Sequence, residues 1–199
     1  SSSTTEIGGA APAAASRELF VIASPTGGMV RRYEHPDDAD ALWELKRAFE
    51  RELGASTGGD DKATAYEAKL DDEYRQRYRE WVGDCVANDA DCIHVAEGDG
   101  DAAASAAAGD ALAGYAFVLP EELTMIWDAA VLNEIYVREP YRGTGVADDL
   151  LDAAVETAER QDLPLDRLVL DVDPGNERAR AFYRRHGFET WGELVARSL

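Results

Sequence analysis

The sequence predicts a mixed α/β domain, one sheet covered by helices. Three observations carry that expectation: two helix-period stretches come early, strand-like runs separated by turns follow, and the last third alternates strand, helix, strand, helix and a closing strand. A chain of 199 residues fits one domain and is long enough to bury roughly 70% of its unfolded surface.

Residues 1–16, SSSTTEIGGAAPAAAS, contain thirteen Ser, Thr, Gly or Ala residues and too little apolar area to offset the entropy of ordering. A mobile tail is expected there, with the domain running from 17 to 199. Phe20–Ala23 and Met29–Tyr33 read as short strands around the turn-rich Ser24-Pro25-Thr26-Gly27-Gly28, a plausible hairpin. Pro36, followed by Asp37, Asp38 and Asp40, opens a helix, because acids in the first turn meet the positive end of its dipole. Leu42, Leu45, Phe49 and Leu53 form its apolar stripe up to Gly54. A second helix is predicted from about Ala63 to Trp81, with Tyr66, Leu70, Tyr74, Tyr78 and Trp81 at steps of four, four, four and three. Core packing is the simpler role for that aromatic stripe, and contact with a ligand the alternative.

From Cys92 onward the period changes. Ile93–Ala96, Leu112–Leu119, a stretch within Thr124–Val137, and Leu168–Val172 read as strands, whereas Gly145–Arg160 and Asn176–His186 read as helices. Residues 98–110, GDGDAAASAAAGD, are low in complexity and read as a long flexible hairpin loop.

Twenty Lys plus Arg against forty Asp plus Glu give a net charge of −20, which should repel a phosphate backbone and excludes nucleic-acid binding. The cations are seventeen Arg and only three Lys, and residues 80–137 hold neither. Self-repulsion of this size is screened in concentrated salt, so the composition points to the salt-rich cytoplasm of a halophile; attraction of a cationic partner is the competing reading. No apolar run reaches the roughly 20 residues that cross a bilayer, and residues 1–16 lack the basic start and apolar centre of a signal peptide. A cytoplasmic protein without membrane contact is expected. Cys85 and Cys92 allow at most one disulfide, and His35, His94 and His186 have no paired spacing, so no metal site is expected.

The most specific local feature is Tyr136-Val137-Arg138-Glu139-Pro140-Tyr141-Arg142-Gly143-Thr144-Gly145-Val146-Ala147. A strand ends at Val137, a Pro turn follows, and a glycine-rich loop opens directly into a helix. Unpaired N–H groups and the positive dipole end make such a helix start a site for phosphate oxygens, with Arg142 and, as a second candidate, Arg138 adding charge-assisted bonds. The loop is no Walker motif, since no Gly-Lys-Ser/Thr follows, and as a dinucleotide fingerprint it lacks the third Gly.

It resembles instead the Arg/Gln-x-x-Gly-x-Gly/Ala loop of the GNAT superfamily of acyl-CoA N-acyltransferases, with Arg142, Gly145 and Ala147 at the defining positions. A second block strengthens the resemblance: Leu168–Val172, then Asn176, Ala179, Phe182-Tyr183 and Gly187-Phe188 fill every position of the family pattern. Similarity runs over roughly Met29 to Leu199 and is strongest over residues 131–188.

The resemblance implies the GNAT fold, a central, mostly antiparallel sheet splayed between the strand ending at Val137 and the strand ending at Val172. It implies acetyl-CoA as cosubstrate, its pyrophosphate on the amides of Gly143, Thr144, Gly145, Val146 and Ala147 with Arg142, its pantetheine bonded to the backbone of Tyr136, Val137 and Arg138. An amide near Val137 would polarise the thioester carbonyl. Asn176 would contact the pantetheine arm or orient the second half of the site; a helix N-cap is the simpler role, and the two are compatible. Tyr183 would protonate the departing thiolate, since a phenol stays protonated at neutral pH. The attacking amine must lose a proton, and Glu134 or Asp171, both near the expected splay, is the candidate base, Glu134 slightly preferred. Thr144 replaces a frequent basic residue, and Asp148 and Asp149 set two negative charges beside the phosphate loop.

The expected activity is therefore transfer of an acetyl group from acetyl-CoA to a primary amine of a small molecule or peptide, by direct attack in a ternary complex. A non-catalytic acyl-CoA-binding module is the alternative, and homodimerisation is left open.

Overall fold

The computed structural model describes residues 29–56, 64, 66–98, 112–192, 195 and 197. The expected tail at 1–16, the strand Phe20–Ala23 with its turn, and nearly all of the 98–110 loop lie outside the described residues.

In chain order the elements are β1 (Val30–Arg32), α1 (Ala39–Ser56), α2 (Asp72–Asn88), β2 (Ile93–Glu97), β3 (Leu112–Val118), β4 (Ala130–Val137), α3 (Val146–Glu159), β5 (Leu168–Val169) and α4 (Glu177–Arg185), with 3-10 turns at Glu121–Leu123 and Glu139–Tyr141. The strands form one sheet in the order β1-β2-β3-β4-β5, antiparallel through β4 and parallel between β4 and β5. This is the mixed, helix-covered sheet that the element order predicts.

Every residue of β3, Leu112–Val118, is buried, because helices cover both faces of the sheet. Tyr115 and Phe117 point toward α1 and α2, where they join Leu42, Trp43, Leu45, Tyr78 and Val82. Ala113, Ala116 and Val118 point the other way, toward Val146, Leu150, Leu151 and Ala154 of α3. Gly114 is required by close approach: a Cβ there would lie 2.5 Å from the Tyr136 carbonyl oxygen and 3.2 Å from Leu150.

Three elements differ from expectation. The second helix is interrupted: residues 66–68 are helical, Lys69 and Leu70 are not, and α2 starts at Asp72 and runs past Trp81 to Asn88. Asp71 causes the break, because its carboxylate accepts from the Tyr74 amide at 2.8 Å and so caps a new helix. β5 covers only Leu168–Val169 instead of Leu168–Val172, since its ladder with β4 ends at Val131–Val169. The closing strand expected after the last helix is absent among the described residues that follow α4. The aromatic stripe is mainly core, with Tyr78 buried and Tyr74 and Trp81 packed against the same cluster. Cys85 and Cys92 are both buried free thiols.

His94 on β2 is buried, and its Nε2 lies 2.9 Å from Thr157 Oγ1 of α3. Burial lowers its pKa from 6.5 to about 4. The unfolded chain thus takes up a proton near pH 6.5 that the folded chain takes up only near 4, so this site is neutral to stability above pH 6.5 and destabilises progressively between the two. Its total effect is about 3 kcal/mol. His94→Gln should flatten the fall in melting temperature over that interval; an unchanged acid profile would contradict the assignment.

Candidate active site

The loop after β4 has the backbone of an anion cradle. Gly143 and Gly145 have φ of +79° and +99°, in the left-handed region, and nothing lies within 4 Å of where a Cβ would stand on either. Gly145 is the N-cap of α3 and offers no side chain to the first-turn amides, which therefore remain for a ligand. The Thr144 hydroxyl donates to the Tyr141 carbonyl at 2.6 Å and fixes the loop. Open space at both glycines and uncapped amides at a helix N-terminus fit a phosphate group.

Beside this loop, β4 loses its neighbour. Its pairing with β5 stops at Val131–Val169, six residues before β4 itself ends at Val137. The register against β3 shifts where Phe117 faces Glu134 but Val118 faces Leu132, so Asn133 is an extra, bulged residue. The bulge brings Glu134 and Tyr136 onto the α1 face, while Ile135 and Val137 pack toward α3.

Glu134 is 6% exposed and accepts from four donors. Lys46 Nζ of α1 lies 2.6 Å from Oε1 and Asn133 Nδ2 3.2 Å from it, while the Tyr115 and Tyr78 hydroxyls donate to Oε2 at 2.6 and 3.1 Å. Lys46 also pairs with Glu50 at 2.7 Å. Burial works to lower the Lys46 pKa, but Glu134 and Glu50 outweigh it and raise it. Burial and then Glu134 hold both phenols well above their ordinary value. Sequence reasoning missed Lys46, Glu50 and Tyr115. The signal was available: Lys46 and Glu50 follow Leu42 at steps of four, on the apolar stripe of α1.

The other expected residues are distributed as follows. Arg142 does not point freely from the loop: its Nε donates to the Val137 carbonyl at 2.9 Å, and its Nη2 reaches the Glu52 oxygens at 2.8 and 2.6 Å. Glu52 also accepts from the Tyr136 hydroxyl at 2.6 Å, which ties α1 to the end of β4. Arg138 turns toward β3, its amide bonded to Ala113 O at 2.9 Å and its Nε to Leu112 O at 3.0 Å. Asn176 caps α4, accepting from the Ala179 amide at 3.0 Å. Asp171 is exposed beyond the end of β5.

Tyr183 lies on α4 between Phe182 and Phe188, with ring centroids 5.4 and 5.5 Å away. Burial alone pushes its phenol up to about 12. Asp148, in the first turn of α3, accepts from Arg185 at 2.6 Å and contacts His186 at 2.8 Å. Arg185 compensates one of the two acids that oppose an anionic ligand, and the two contacts fix the end of α4 against the start of α3. The nine residues of α4 hold four arginines against one acid, Glu177, so this helix departs from the acidic composition of the chain.

Removing one partner from a buried ion pair costs about 3–5 kcal/mol. Lys46→Met should therefore lower the melting temperature by roughly 10 °C in a chain of this size. The double variant Lys46→Met/Glu134→Gln should recover part of the loss. A single variant that melts like the parent would show that the pair contributes nothing.

A model of the acetyltransferase (GNAT) family matches residues 42–188. The L-methionine sulfoximine/L-methionine sulfone acetyltransferases of Pseudomonas paraeruginosa and Pseudomonas aeruginosa are each 35% identical over 91 residues, 46% of this chain and 51% of theirs. The chain thus spans about half the length of the curated relatives it matches. The crystal structure of PaiA N-acetyltransferase from Thermoplasma acidophilum in complex with coenzyme A is similar at a TM-score of 0.56 and 17% identity, over 80% of this chain and 88% of that one. A GCN5-related N-acetyltransferase from Ralstonia eutropha is similar at a TM-score of 0.55 and 20% identity, over 85% and 97%. At these identities the structures share the fold, and the sequence match across most of the described residues adds the lineage: the chain belongs to the acetyltransferase (GNAT) family.

Proposed function

We propose that the protein transfers an acetyl group from acetyl-CoA to a primary amine, by direct attack within a ternary complex. The observation that carries this reading is the uncapped, glycine-lined start of α3 directly beside the unpaired end of β4. A phosphate cradle and an open strand edge lie in the order in which pyrophosphate and pantetheine follow each other. The acetyltransferase names of the Pseudomonas relatives, and the CoA complex of the Thermoplasma protein, support it.

Bound acetyl-CoA supplies an activated thioester carbonyl. The amides of Gly143, Thr144, Gly145, Val146 and Ala147 would hold its phosphates, and the α4 arginines favour a polyanion locally in a chain of charge −20. Arg142 joins them only by exchanging Glu52 for phosphate. The backbone at Tyr136–Arg138 would hold the pantetheine arm, and an amide near Val137 would polarise the carbonyl.

Two protons must then move. Glu134, held by Lys46 and two phenols, is the carboxylate offered to the acceptor's proton, directly or through water; exposed Asp171 is the second candidate. Tyr183 is the donor to the departing thiolate, and a phenol pushed up to about 12 remains protonated through the neutral range. Its own surroundings supply that protection, since burial is the sole cause of the shift.

Thiol release from acetyl-CoA, measured across a panel of primary amines in concentrated KCl, tests the activity. Tyr183→Phe should lower kcat by about 10²-fold or more while the KM for acetyl-CoA stays within about twofold. Unchanged turnover would remove Tyr183 from the chemistry. Saturable CoA binding without thiol release on any amine would favour a non-catalytic acyl-CoA-binding module instead.

A further inference from the structure

Glu134 takes three of its four donors, Lys46, Tyr78 and Tyr115, from buried residues, but its neighbour Glu50 is arranged differently. Glu50 is 4% exposed and has two lysine partners. Lys46, whose side chain is 6% exposed, lies 2.7 Å from Oε1 and bridges to Glu134. Lys69, whose side chain is 36% exposed, lies 2.7 Å from Oε2. Lys69 comes from the break between residues 66–68 and the cap of α2, so its stem can swing out without opening a helix.

The surroundings of the Lys69 ammonium are those that recognise a primary ammonium. It lies 4.1 Å from the centroid of the Tyr66 ring and 5.5 Å from that of Tyr74, with the Glu50 carboxylate on a third side. The Tyr74 hydroxyl donates to Glu50 at 3.4 Å and so helps to orient it. The charges agree with this: Lys46 and Lys69 balance Glu50 and Glu134, and departure of Lys69 leaves one buried negative charge for an incoming cation to neutralise. The chain uses three Lys against seventeen Arg, yet it places a lysine here. A guanidinium would grip the carboxylate with two parallel bonds, whereas an ammonium is a point charge that another ammonium replaces like for like.

We propose that Glu50, Tyr66 and Tyr74 form an ammonium subsite, filled by Lys69 when no acceptor is bound, and that the acceptor is an aliphatic diamine whose second ammonium takes the place of Lys69. The proposal rests on the acetyl-transfer reading above. The reacting amine belongs near Glu134, at the bulge of β4 beside the splay, and the Lys46 ammonium separates that position from Glu50. A cation in the Tyr66 cage is therefore an anchor held apart from the amine that reacts, with Glu50 and Lys46 between them.

The test is calorimetric titration of tetramethylenediamine and of butylamine into the full chain, its Lys69→Met variant and its Tyr66→Leu variant, at one pH and one salt concentration. Lys69→Met removes the internal competitor, so the diamine should bind it about fivefold tighter than the parent, or better. Tyr66→Leu removes one ring face and should weaken the diamine by roughly threefold. Butylamine, with a single ammonium, should follow the same trend but bind more weakly than the diamine in the parent and in each variant. Equal diamine affinity in the parent and Lys69→Met, butylamine binding as tightly as the diamine, or no diamine binding at all would each overturn the proposal. Because the readout is binding, it is distinct from the activity test: absence of thiol release on every amine would count against acetyl transfer, whereas loss of these affinity differences counts against the subsite.

Discussion

A carboxylate taken out of water must be given donors, and the burial of Glu134 imposes that demand at the centre of the molecule. Its four donors come from α1 (Lys46), α2 (Tyr78), β3 (Tyr115) and the β4 bulge (Asn133). Four segments are thereby held over one residue. An apolar side chain at position 134 would let α1 and α2 pack in several registers, whereas a charged one accepts only the register that brings an ammonium and two phenols to it. The aromatic cluster around Trp43, Tyr78, Trp81 and Phe117 packs beside the pair and limits its exposure.

The same strand carries the opposite condition a few residues further on. β4 is bonded to β3 along its length, but β5 accompanies it only to Val131, so the edge beyond is left for another group. Sheet edges of this kind are usually covered. Here the chain turns at Glu139–Tyr141 into the glycine loop and starts α3 without a side-chain cap, leaving a strand edge and a set of amides side by side. Glu52 joins the two regions, since it takes both the Tyr136 hydroxyl and the Arg142 guanidinium. Occupation of the loop by an anion would compete with Glu52 for Arg142 and so bear on the seat of α1. The acidity of the chain is met locally in the same way, with Arg185 compensating Asp148 at the start of α3.

The features legible in the sequence were those encoded by neighbours along the chain. The glycine loop, the helix after it and the Asn176–Phe188 block are local patterns, and each is found within a residue or two of its expected limits. The burial of Glu134 was not legible, because its partners are 88, 56 and 19 residues away and only folding brings them together. Arg142 shows the same limit: its type and position suit a phosphate, but its actual partner, Glu52, is 90 residues distant. The break at Leu70 was legible in principle, because Asp71 is a strong N-cap, yet the unbroken spacing of Tyr66, Leu70, Tyr74 and Tyr78 concealed it. Lys46 and Glu50 were hidden by the opposite habit, in which charged residues on a helix are assigned to solvent. The halophilic reading of the acidic composition concerns the surrounding solution, about which the fold says nothing.

Acetyl transfer by this chain requires that the loop at residues 143–147 and the open end of β4 bind CoA through the backbone. Calorimetric titration of CoA into the full chain and into a Gly145→Val variant, in concentrated KCl, tests it most directly. Valine cannot hold the φ of +99° that Gly145 adopts, so the amides would turn away from the cradle. A single saturable site is expected in the parent, weakened by about tenfold or more in a variant whose far-ultraviolet spectrum remains that of the parent. Equal CoA affinity in the two proteins, or no CoA binding by the parent, would contradict the account.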